Sequence, residues 1–357
     1  MQSIKEITRL PVFFIIGRPR SGTSLLRHLF DAHPDVVIPS ECNYILALSR
    51  KYGNIEKSGK QTITNLLTDL KQTKSFNTWG LDIESLEKKL YSLKEKSNYS
   101  ELCRVIHSSY SSIHPKNELK IIGDKNPAYS SENFSKIFSL FPDAKYIHLV
   151  RDCRDQITSL LTAGFKLPSP AFIAIAWKKS IATINKYKQK FPDHFYTIRY
   201  EDFVAEPEDH FKKICSFLGI KFQQDVFDFI DKKNEYLHHQ PGLKYEQLHQ
   251  RLFQPINNKR VGIYRDFLNS KDLAVVEKIV GDVAEQYGYK KNKINSNIFV
   301  FLTVIKWNLI YKLFALLRSF SFTLPIQKRN SLVEKIKRNR ALSSFYNKQT
   351  KSKTAKK

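Results

Sequence analysis

Residues 17–24, with the sequence GRPRSGTS, have the residue types and spacing of a loop that binds a phosphate or sulfate group. Glycines stand at both ends of the GRPRSG stretch, an apolar run precedes the loop, and a helical pattern begins at Thr23. In such a loop the backbone N–H groups converge on an anion, and the N-terminus of the next helix adds positive potential. Thr23 and Ser24 can add hydroxyl donors, and Arg20 places a cation inside the loop.

The spacing of the two glycines matches the GxxxxG of a nucleoside-triphosphate loop, but the residue after the second glycine differs. That residue is Thr23, whereas the ATP- and GTP-binding loop needs Lys there, followed by a Ser or Thr that binds Mg²⁺. The cation that takes its place lies inside the loop, at Arg20. The pattern therefore favours an anion site that does not depend on a loop Lys and Mg²⁺.

Polar residues follow three other apolar runs, where a parallel sheet would present them to a ligand. Arg151 follows the run KYIHLV, and Ser159 comes eight residues later, on a similar face of the predicted helix. Lys125 stands in the segment GDKNP, which follows a second run, and Tyr200 closes a third. An Mg²⁺-dependent kinase would need an acidic residue where Arg151 stands, although Asp152 follows it.

Three residues have side chains that could act as a general base close to the loop. Glu41 lies in the segment PSECN, just beyond the run that follows the loop helix. His28 and His33 are rivals, because His is the commonest base in enzymes. His28, however, falls within the predicted helix, and His33 precedes a proline in a turn that looks structural.

The segment GRPRSGTSLLRHLFDAHPDV, residues 17–36, resembles the 5′-phosphosulfate loop of sulfotransferases that use 3′-phosphoadenosine 5′-phosphosulfate (PAPS). It is most similar to the branch that contains the tyrosylprotein sulfotransferases and many bacterial homologues. The resemblance covers residues 11–290 approximately. It implies that five loop residues bind the 5′-phosphosulfate: Arg20, Ser21, Gly22, Thr23 and Ser24.

The same resemblance assigns further residues to the nucleotide. It implies that Arg151 and Ser159 bind the 3′-phosphate and that Tyr200 contacts the nucleotide. Residues 254–262, QPINNKRVG, resemble a later loop that covers PAPS, which adds Asn257 and Lys259. Gln254 departs from the branch pattern, which has a basic residue there.

For catalysis, the resemblance implies that Glu41 is the general base and that Arg20 and Lys125 balance charge at the sulfuryl group. These two cations would take the place of Mg²⁺, so no metal is expected. The implied reaction transfers a sulfuryl group from PAPS to a hydroxyl of a glycan, a lipid or a tyrosyl peptide. Two alternatives remain open: a nucleotide-dependent phosphotransferase of the P-loop class, and a protein without catalytic activity that binds anions or membranes.

The elements that position these residues predict an α/β fold, with a mostly parallel central sheet, flanking helices and a P-loop-like phosphate-binding loop. Helical patterns alternate with the runs, and a helix over residues 271–287, with Ser270 as its N-cap, follows the last motif. Residues 52–115 form a polar insertion with a helical pattern, which would cap the site. Four apolar runs predict buried strands: VFFII (12–16), LKII (119–122), KYIHLV (145–150) and FYTIRY (195–200).

Composition limits the class of protein. Of 357 residues, 41% are hydrophobic, which allows a substantial core. The net charge of +25 suits anionic partners, but residues 328–357 hold eleven Lys or Arg against one acid, Glu334, and so supply ten of these charges. Nucleic acid is not expected as a partner. The four cysteines lack metal-site spacing and predict reduced, mostly buried thiols.

The chain is predicted to divide into an α/β domain, residues 1–291, and a helical appendage, residues 292–357. Within the appendage, residues 297–326 are rich in large apolar side chains, and the uncharged run before Lys306 is shorter than the 20 or so residues that cross a bilayer. The segment and the basic tail would act as an interfacial helix with a polybasic anchor, or the helix would pack on the domain. No signal peptide is evident, so the predicted location is cytoplasmic, with possible peripheral attachment to a membrane.

Overall fold

The computed structural model describes residues 2–73, 75–93, 97–130, 133–163, 169–232, 234–236, 250–292 and 297–321. The chain forms two compact units. The first comprises Met1–Arg151 and Ala182–Lys259, and the second comprises Asp152–Ile181 and Arg260–Lys357. The division expected at residue 291 stays a prediction.

In the first unit the described residues form a sheet of five parallel strands in the order β2-β3-β1-β4-β5. This arrangement confirms the predicted α/β class with a parallel sheet. The strand β2, of only two residues, was not predicted. The strands are β1 (Val12–Ile16), β2 (Val36–Val37), β3 (Ile121–Lys125), β4 (Lys145–Val150) and β5 (Phe195–Arg199).

Helices flank the sheet in the first unit and make up the second unit. One helix, α9 (Pro170–Lys190), begins in the second unit and ends in the first. The others of the first unit are α1 (Ile4–Ile7), α2 (Thr23–Ala32), α3 (Tyr44–Tyr52), α4 (Lys60–Lys71), α5 (Ile83–Tyr91), α6 (Tyr99–Ser108), α7 (Phe134–Leu140), α10 (Tyr200–Ala205) and α11 (Pro207–Leu218). Those of the second unit are α8 (Cys153–Thr162), α12 (Tyr264–Phe267), α13 (Ser270–Glu285) and α14 (Ile298–Ser321).

The central strand β1 is buried on both faces, which explains its unbroken apolar sequence. Phe13 and Ile15 join a core cluster that includes residues of α2 and α11. Phe14 points to the opposite face, where its ring centroid lies 5.5 Å from that of Tyr129 and 5.2 Å from that of Phe141. Burial of both faces fixes β1 in the middle of the sheet, so the loop after it emerges at the sheet's centre.

The strand β3 corrects the prediction from the LKII run, because it begins at Ile121 and continues to Lys125. Its polar end pairs in register with β1, with Asp124 opposite Phe14 and Lys125 opposite Ile15. Gly123 admits the Phe13 ring, since a Cβ at Gly123 would lie 2.6 Å from the Cζ atom of Phe13. Lys125 is therefore the last residue of a buried strand rather than part of the loop beyond it.

The described residues of the insertion, 52–115, include the helices α4, α5 and α6. Its last helix, α6, begins with a capping box formed by Asn98 and Glu101 and packs on β3. Part of the insertion therefore covers the sheet, and its role as a cap over the site stays a prediction.

In the second unit, the observed N-cap of α13 differs from the prediction. The helix begins at Ser270, and the Oδ1 atom of Asn269 accepts a hydrogen bond of 2.9 Å from the N–H of Asp272. An Asn side chain caps a helix as well as Ser does, and here it stands one residue earlier.

At the start of α8, also in the second unit, Asp155 accepts hydrogen bonds from the N–H groups of Gly262 and Tyr264, 2.6 and 2.9 Å long.

The helix α14 corrects the expectation that the apolar segment is too short to cross a bilayer. Its residues Ile298–Leu317 are long and apolar enough to do so by length and composition alone. The expectation considered only the length of the uncharged run before Lys306, whereas the helix continues to Ser321. The basic tail, residues 328–357, and the end of the apolar segment, residues 322–326, lie outside the described residues.

The cysteines are buried, as predicted, and none forms a disulfide: Cys42, Cys103, Cys153 and Cys215.

Candidate active site

The loop between β1 and α2 folds tightly in the first unit. Arg20 and Gly22 both have positive φ, 68° and 91°, and the N–H of Ser21 donates a hydrogen bond of 3.2 Å to the carbonyl of Arg18. Residues in such alternating conformations turn successive N–H groups toward one point, which creates a concave anion site. The N-terminus of α2 begins at Thr23, immediately after this turn.

Neighbouring chain segments leave no space for side chains at the two loop glycines. A Cβ at Gly17 would lie 2.6 Å from the carbonyl oxygen of Leu149, on β4. A Cβ at Gly22 would lie 2.5 Å from the Cδ2 atom of Tyr200. The loop is therefore held between β4 and the first residue of α10, which explains the glycine at each position.

Ser21 offers a test of whether this loop suits a phosphosulfate group. Its hydroxyl is buried and has no hydrogen-bond partner among the described residues. Buried polar atoms are nearly always hydrogen-bonded, so an unpaired hydroxyl in an anion-binding loop points to a ligand oxygen as its partner. The residues present thus fit the group that the sequence predicts here.

Arg151 reaches the loop from the end of β4. Its Nη1 atom donates a hydrogen bond of 2.8 Å to the carbonyl of Arg20, and its guanidinium lies 4.3 Å from the centroid of the Tyr200 ring. The structure thus brings together four residues predicted from three separate motifs: Arg20 and Gly22 of the loop, Arg151 and Tyr200. The guanidinium is held rigidly, since both a carbonyl and an aromatic face fix its plane.

Lys125 and Glu41 form an ion pair beside the loop. The Nζ atom of Lys125 contacts the Oε1 atom of Glu41 and donates a hydrogen bond of 3.0 Å to the Oγ atom of Ser24. The side chain of Lys125 is 3% exposed, whereas that of Glu41 is 45% exposed. A buried cation therefore connects the phosphate loop to a carboxylate that solvent, or a substrate, can reach.

Two residues that the sequence analysis missed hold the segment before Glu41. The Nε and Nη2 atoms of Arg27, on α2, donate hydrogen bonds of 3.2 and 3.1 Å to the carbonyl of Ile38. The Nε1 atom of Trp79 donates one of 2.9 Å to the carbonyl of Ser40. These bonds fix the backbone on which Glu41 stands.

The spacing of Arg27 and Asp31 in the sequence could have identified Arg27 as a residue with a structural role. They are four residues apart on α2, and the Nη2 atom of Arg27 lies 3.2 Å from the Oδ2 atom of Asp31. Both side chains are almost fully buried. A buried pair at helical spacing indicates a structural role, whereas nothing near Trp79 in the sequence points to Ser40.

Asp124 organises the backbone behind Lys125. Its Oδ1 atom accepts a hydrogen bond of 2.7 Å from the N–H of Lys125, and its Oδ2 atom accepts one of 2.5 Å from the hydroxyl of Tyr129. The Nε2 atom of His107 lies 3.6 Å from the same Oδ2 atom. These contacts satisfy a buried carboxylate at the end of β3, as burial requires.

The two rival bases are both buried away from the loop's surface. The His28 ring stacks on Phe229, 5.6 Å between centroids. The Nδ1 atom of His33 accepts from the N–H of Asp35, so its Nε2 atom donates to the carbonyl of Lys221, 2.7 Å away. Burial lowers the pKa of His33. Both rings thus have structural partners.

Three further residues predicted to bind the nucleotide lie on other elements. Ser159 lies on α8, in the second unit. Asn257 and Lys259 bond within their own loop, where the N–H of Lys259 donates to the Oδ1 atom of Asn257 over 3.1 Å. Their roles stay predictions.

Within the described part of the chain, no group of three or more His, Cys, Asp or Glu side chains could hold a metal ion. Independence from metal stays a prediction.

Curated relatives of this chain are protein-tyrosine sulfotransferases. The chain is 26% identical over 257 residues to the Drosophila melanogaster protein-tyrosine sulfotransferase, an alignment that covers 70% of this chain and 46% of the relative. It is 27% identical over 225 residues to protein-tyrosine sulfotransferase 1 of Danio rerio, with coverage of 61% and 55%. The chain therefore spans about half the length of these relatives.

A solved structure has a similar fold, and a family model matches part of the chain. The fold is similar to that of a sulfotransferase domain from the curacin biosynthetic pathway, with a TM-score of 0.55, 18% identity and coverage of 79% of this chain and 99% of that domain. The model of the Sulfotransferase family matches residues 11–224, which contain the loop, Glu41, Lys125, Arg151 and Tyr200. Because that match spans more than half of the chain, the protein belongs to the Sulfotransferase family.

Proposed function

We propose that this protein transfers a sulfuryl group from PAPS to a hydroxyl-bearing acceptor. One arrangement carries the proposal: the buried Lys125 joins the anion-binding loop, at Ser24, to the accessible carboxylate of Glu41. A loop for the donor, a cation and a base thus lie within one site. Membership of the Sulfotransferase family supports the same reaction.

In this reaction the acceptor oxygen forms a bond to sulfur while the bond from sulfur to the 5′-phosphate oxygen breaks. The proton of the acceptor hydroxyl passes to Glu41, which acts as the general base. Lys125, Arg20 and the N–H groups of the loop balance the negative charge on the sulfuryl group and on the leaving phosphate. The products are the sulfated acceptor and adenosine 3′,5′-bisphosphate.

The donor would be bound by the loop residues Arg20 to Ser24 at its 5′ end. Arg151 and Ser159 are proposed to bind the 3′-phosphate, and Tyr200, Asn257 and Lys259 to contact the rest of the nucleotide. The fixed plane of the Arg151 guanidinium supports its proposed role in binding the 3′-phosphate, since the planar set of guanidinium N–H donors matches phosphate oxygens.

The tyrosyl hydroxyl of a protein is the first acceptor to test, because the curated relatives are named protein-tyrosine sulfotransferases. Glycan and lipid hydroxyls are the other acceptor classes. PAPS carrying labelled sulfate, added with the protein to a whole-cell extract, would show whether the protein, glycan or lipid fraction takes up the label.

Ligand-induced shifts in melting temperature distinguish the proposed function from its alternatives. PAPS and adenosine 3′,5′-bisphosphate should raise the melting temperature of the protein, because each fills a site present only in the folded state. A larger rise with ATP and Mg²⁺ would favour a phosphotransferase. No rise with any nucleotide, together with no transfer of label, would favour a protein that only binds anions.

We also propose a cytoplasmic enzyme with peripheral attachment to a membrane. The four buried cysteines form no disulfide, which suits a reducing compartment, where disulfides are rare.

A further inference from the structure

Over residues 298–317, where its side chains are described, the helix α14 exposes eleven large apolar side chains. Elsewhere in the described part of the chain, the exposed large apolar side chains are Phe191, Val261 and Phe267. Scattered apolar side chains are ordinary on protein surfaces, but a continuous set along six turns marks a surface that is covered by something else.

The opposite side of the helix packs within the second unit. Val300 and Tyr311 are buried, and α14 contacts α13. The ring centroid of Tyr311 lies 5.1 Å from that of Phe172, at the start of α9, and Lys179 places its Nζ atom 4.7 Å from the Tyr311 centroid. The side facing the protein is thus a narrow stripe, and it accounts for few of the apolar residues.

Directly opposite this stripe, the helix has an outward ridge of six apolar residues: Ile298, Leu302, Ile305, Leu309, Leu313 and Leu316. At 3.6 residues per turn, Lys306 and Lys312 fall about 60° to either side of the ridge. Both lysines are exposed.

We propose that α14 lies in the plane of an anionic membrane surface, with its ridge inserted at the boundary between head groups and acyl chains. Lys306 and Lys312, flanking the ridge, would extend their charged ends to the level of the lipid phosphates. The chain after the helix adds charge of the same sign, since residues 328–357 hold eleven Lys or Arg and one acid. An apolar ridge between two cations, followed by a basic segment, is complementary to anionic lipid.

The contacts of the helix argue for lying on the membrane rather than crossing it. A crossing helix would carry its packed partner α13 into the hydrocarbon. That helix bears Asp282 and Glu285, which pair with Lys291 in the segment that follows it, and burying such charges in lipid is costly. A helix lying in the interface keeps α13 in water.

Sedimentation of the full-length protein with vesicles tests the proposal. The protein should pellet with vesicles of phosphatidylcholine and phosphatidylserine, pellet less with phosphatidylcholine alone, and detach in high salt or alkaline carbonate. Leu309→Glu and Leu313→Glu, at positions 60% and 59% exposed, should each weaken binding about tenfold or more. The matched control is Phe267→Glu, 53% exposed on α12, which should bind as the unaltered protein does.

Four results would overturn the proposal. Intact protein that stays in the supernatant with anionic vesicles would show that the ridge has no affinity for lipid. An equal loss with Phe267→Glu would show that added negative charge alone explains the effect. Resistance to carbonate would show a crossing helix. A dimer in light scattering that Leu309→Glu converts to a monomer, with vesicle binding unchanged, would show that a second copy covers the ridge.

Discussion

Lys125 and Glu41 are 84 residues apart in the chain, yet their side chains form an ion pair at the carboxyl edge of the sheet. The pair also contacts the phosphate loop, through the hydrogen bond from Lys125 to Ser24. The proposed base and the proposed cation of the same reaction are therefore held in contact. This preorganisation limits the reorganisation that the reaction itself requires.

Replacing Glu41 with Gln should lower the rate of sulfuryl transfer by about 10²–10⁴-fold, because the amide keeps the shape but cannot accept the proton. The affinity for adenosine 3′,5′-bisphosphate should be almost unchanged. Transfer of labelled sulfate and calorimetry measure the two quantities. The control is Glu56→Gln, at an exposed position of the first unit. Near-normal turnover would exclude Glu41 as the base, and loss of bisphosphate binding would instead assign it to organising the loop.

Replacing Arg151 with Ala should affect binding of the bisphosphate more than the rate of transfer. The affinity for the bisphosphate should fall by about 10- to 100-fold, the range for losing hydrogen bonds to a charged group. The affinity for AMP, which lacks the 3′-phosphate, should change much less. Arg199→Ala removes a half-exposed guanidinium that pairs with Asp202 and is the control. If the unaltered protein binds AMP and the bisphosphate equally in calorimetry, the proposed 3′-phosphate site is wrong.

Replacing Gly22 with Ala should destabilise the loop more than Gly219→Ala destabilises the end of α11. Both glycines have positive φ, 91° and 79°, so each variant carries a backbone strain of about 1–2 kcal/mol. Only at Gly22 does the new Cβ also meet Tyr200, since nothing lies within 4 Å at Gly219. Urea unfolding should show the larger loss for Gly22→Ala, with bisphosphate binding lost as well. Equal losses and normal binding would contradict the tight packing of the loop.

Transfer activity should survive EDTA, since Arg20 and Lys125 are proposed to balance the charge that Mg²⁺ balances in kinases. Labelled transfer measured with EDTA, and again after adding Mg²⁺, checks this. Activity that disappears with EDTA and returns with Mg²⁺ would favour the phosphotransferase alternative.

The stability of the first unit should fall as the pH falls below about 6.5. Burial lowers the pKa of His148 to about 3, with a smaller contribution from Lys188, so the folded state keeps this ring neutral. Between pH 6.5 and 3 the unfolded chain binds a proton there that the folded chain does not, which costs about 1.4 kcal/mol per pH unit. Urea unfolding over this range should show a shallower slope for His148→Gln. An unchanged slope would assign the acid sensitivity to other groups, such as His114, whose pKa burial lowers to about 4.

The sequence alone was sufficient to predict those elements whose determining interactions are local or whose burial is complete. The loop from Gly17 to Ser24 could be predicted because glycine, hydroxyl and helix-start signals all lie within one short segment. The strands β1 and β4 could be predicted because strands covered on both faces need nearly continuous apolar runs. The α/β class followed from the alternation of these runs with helical patterns.

Only the tertiary structure decided which of the predicted residues meet. Lys125 appeared to lie in a loop, because a buried Asp and Lys do not look like a strand, and only pairing with β1 and the bonds to Asp124 make that strand possible. The contact of Arg151 with Arg20 and Tyr200, and the support of Glu41 by Arg27 and Trp79, depend on how parallel strands and their crossovers are arranged in space. Composition and spacing describe neighbours along the chain, whereas a site of this kind forms from strand ends that are distant in the sequence and adjacent in the sheet.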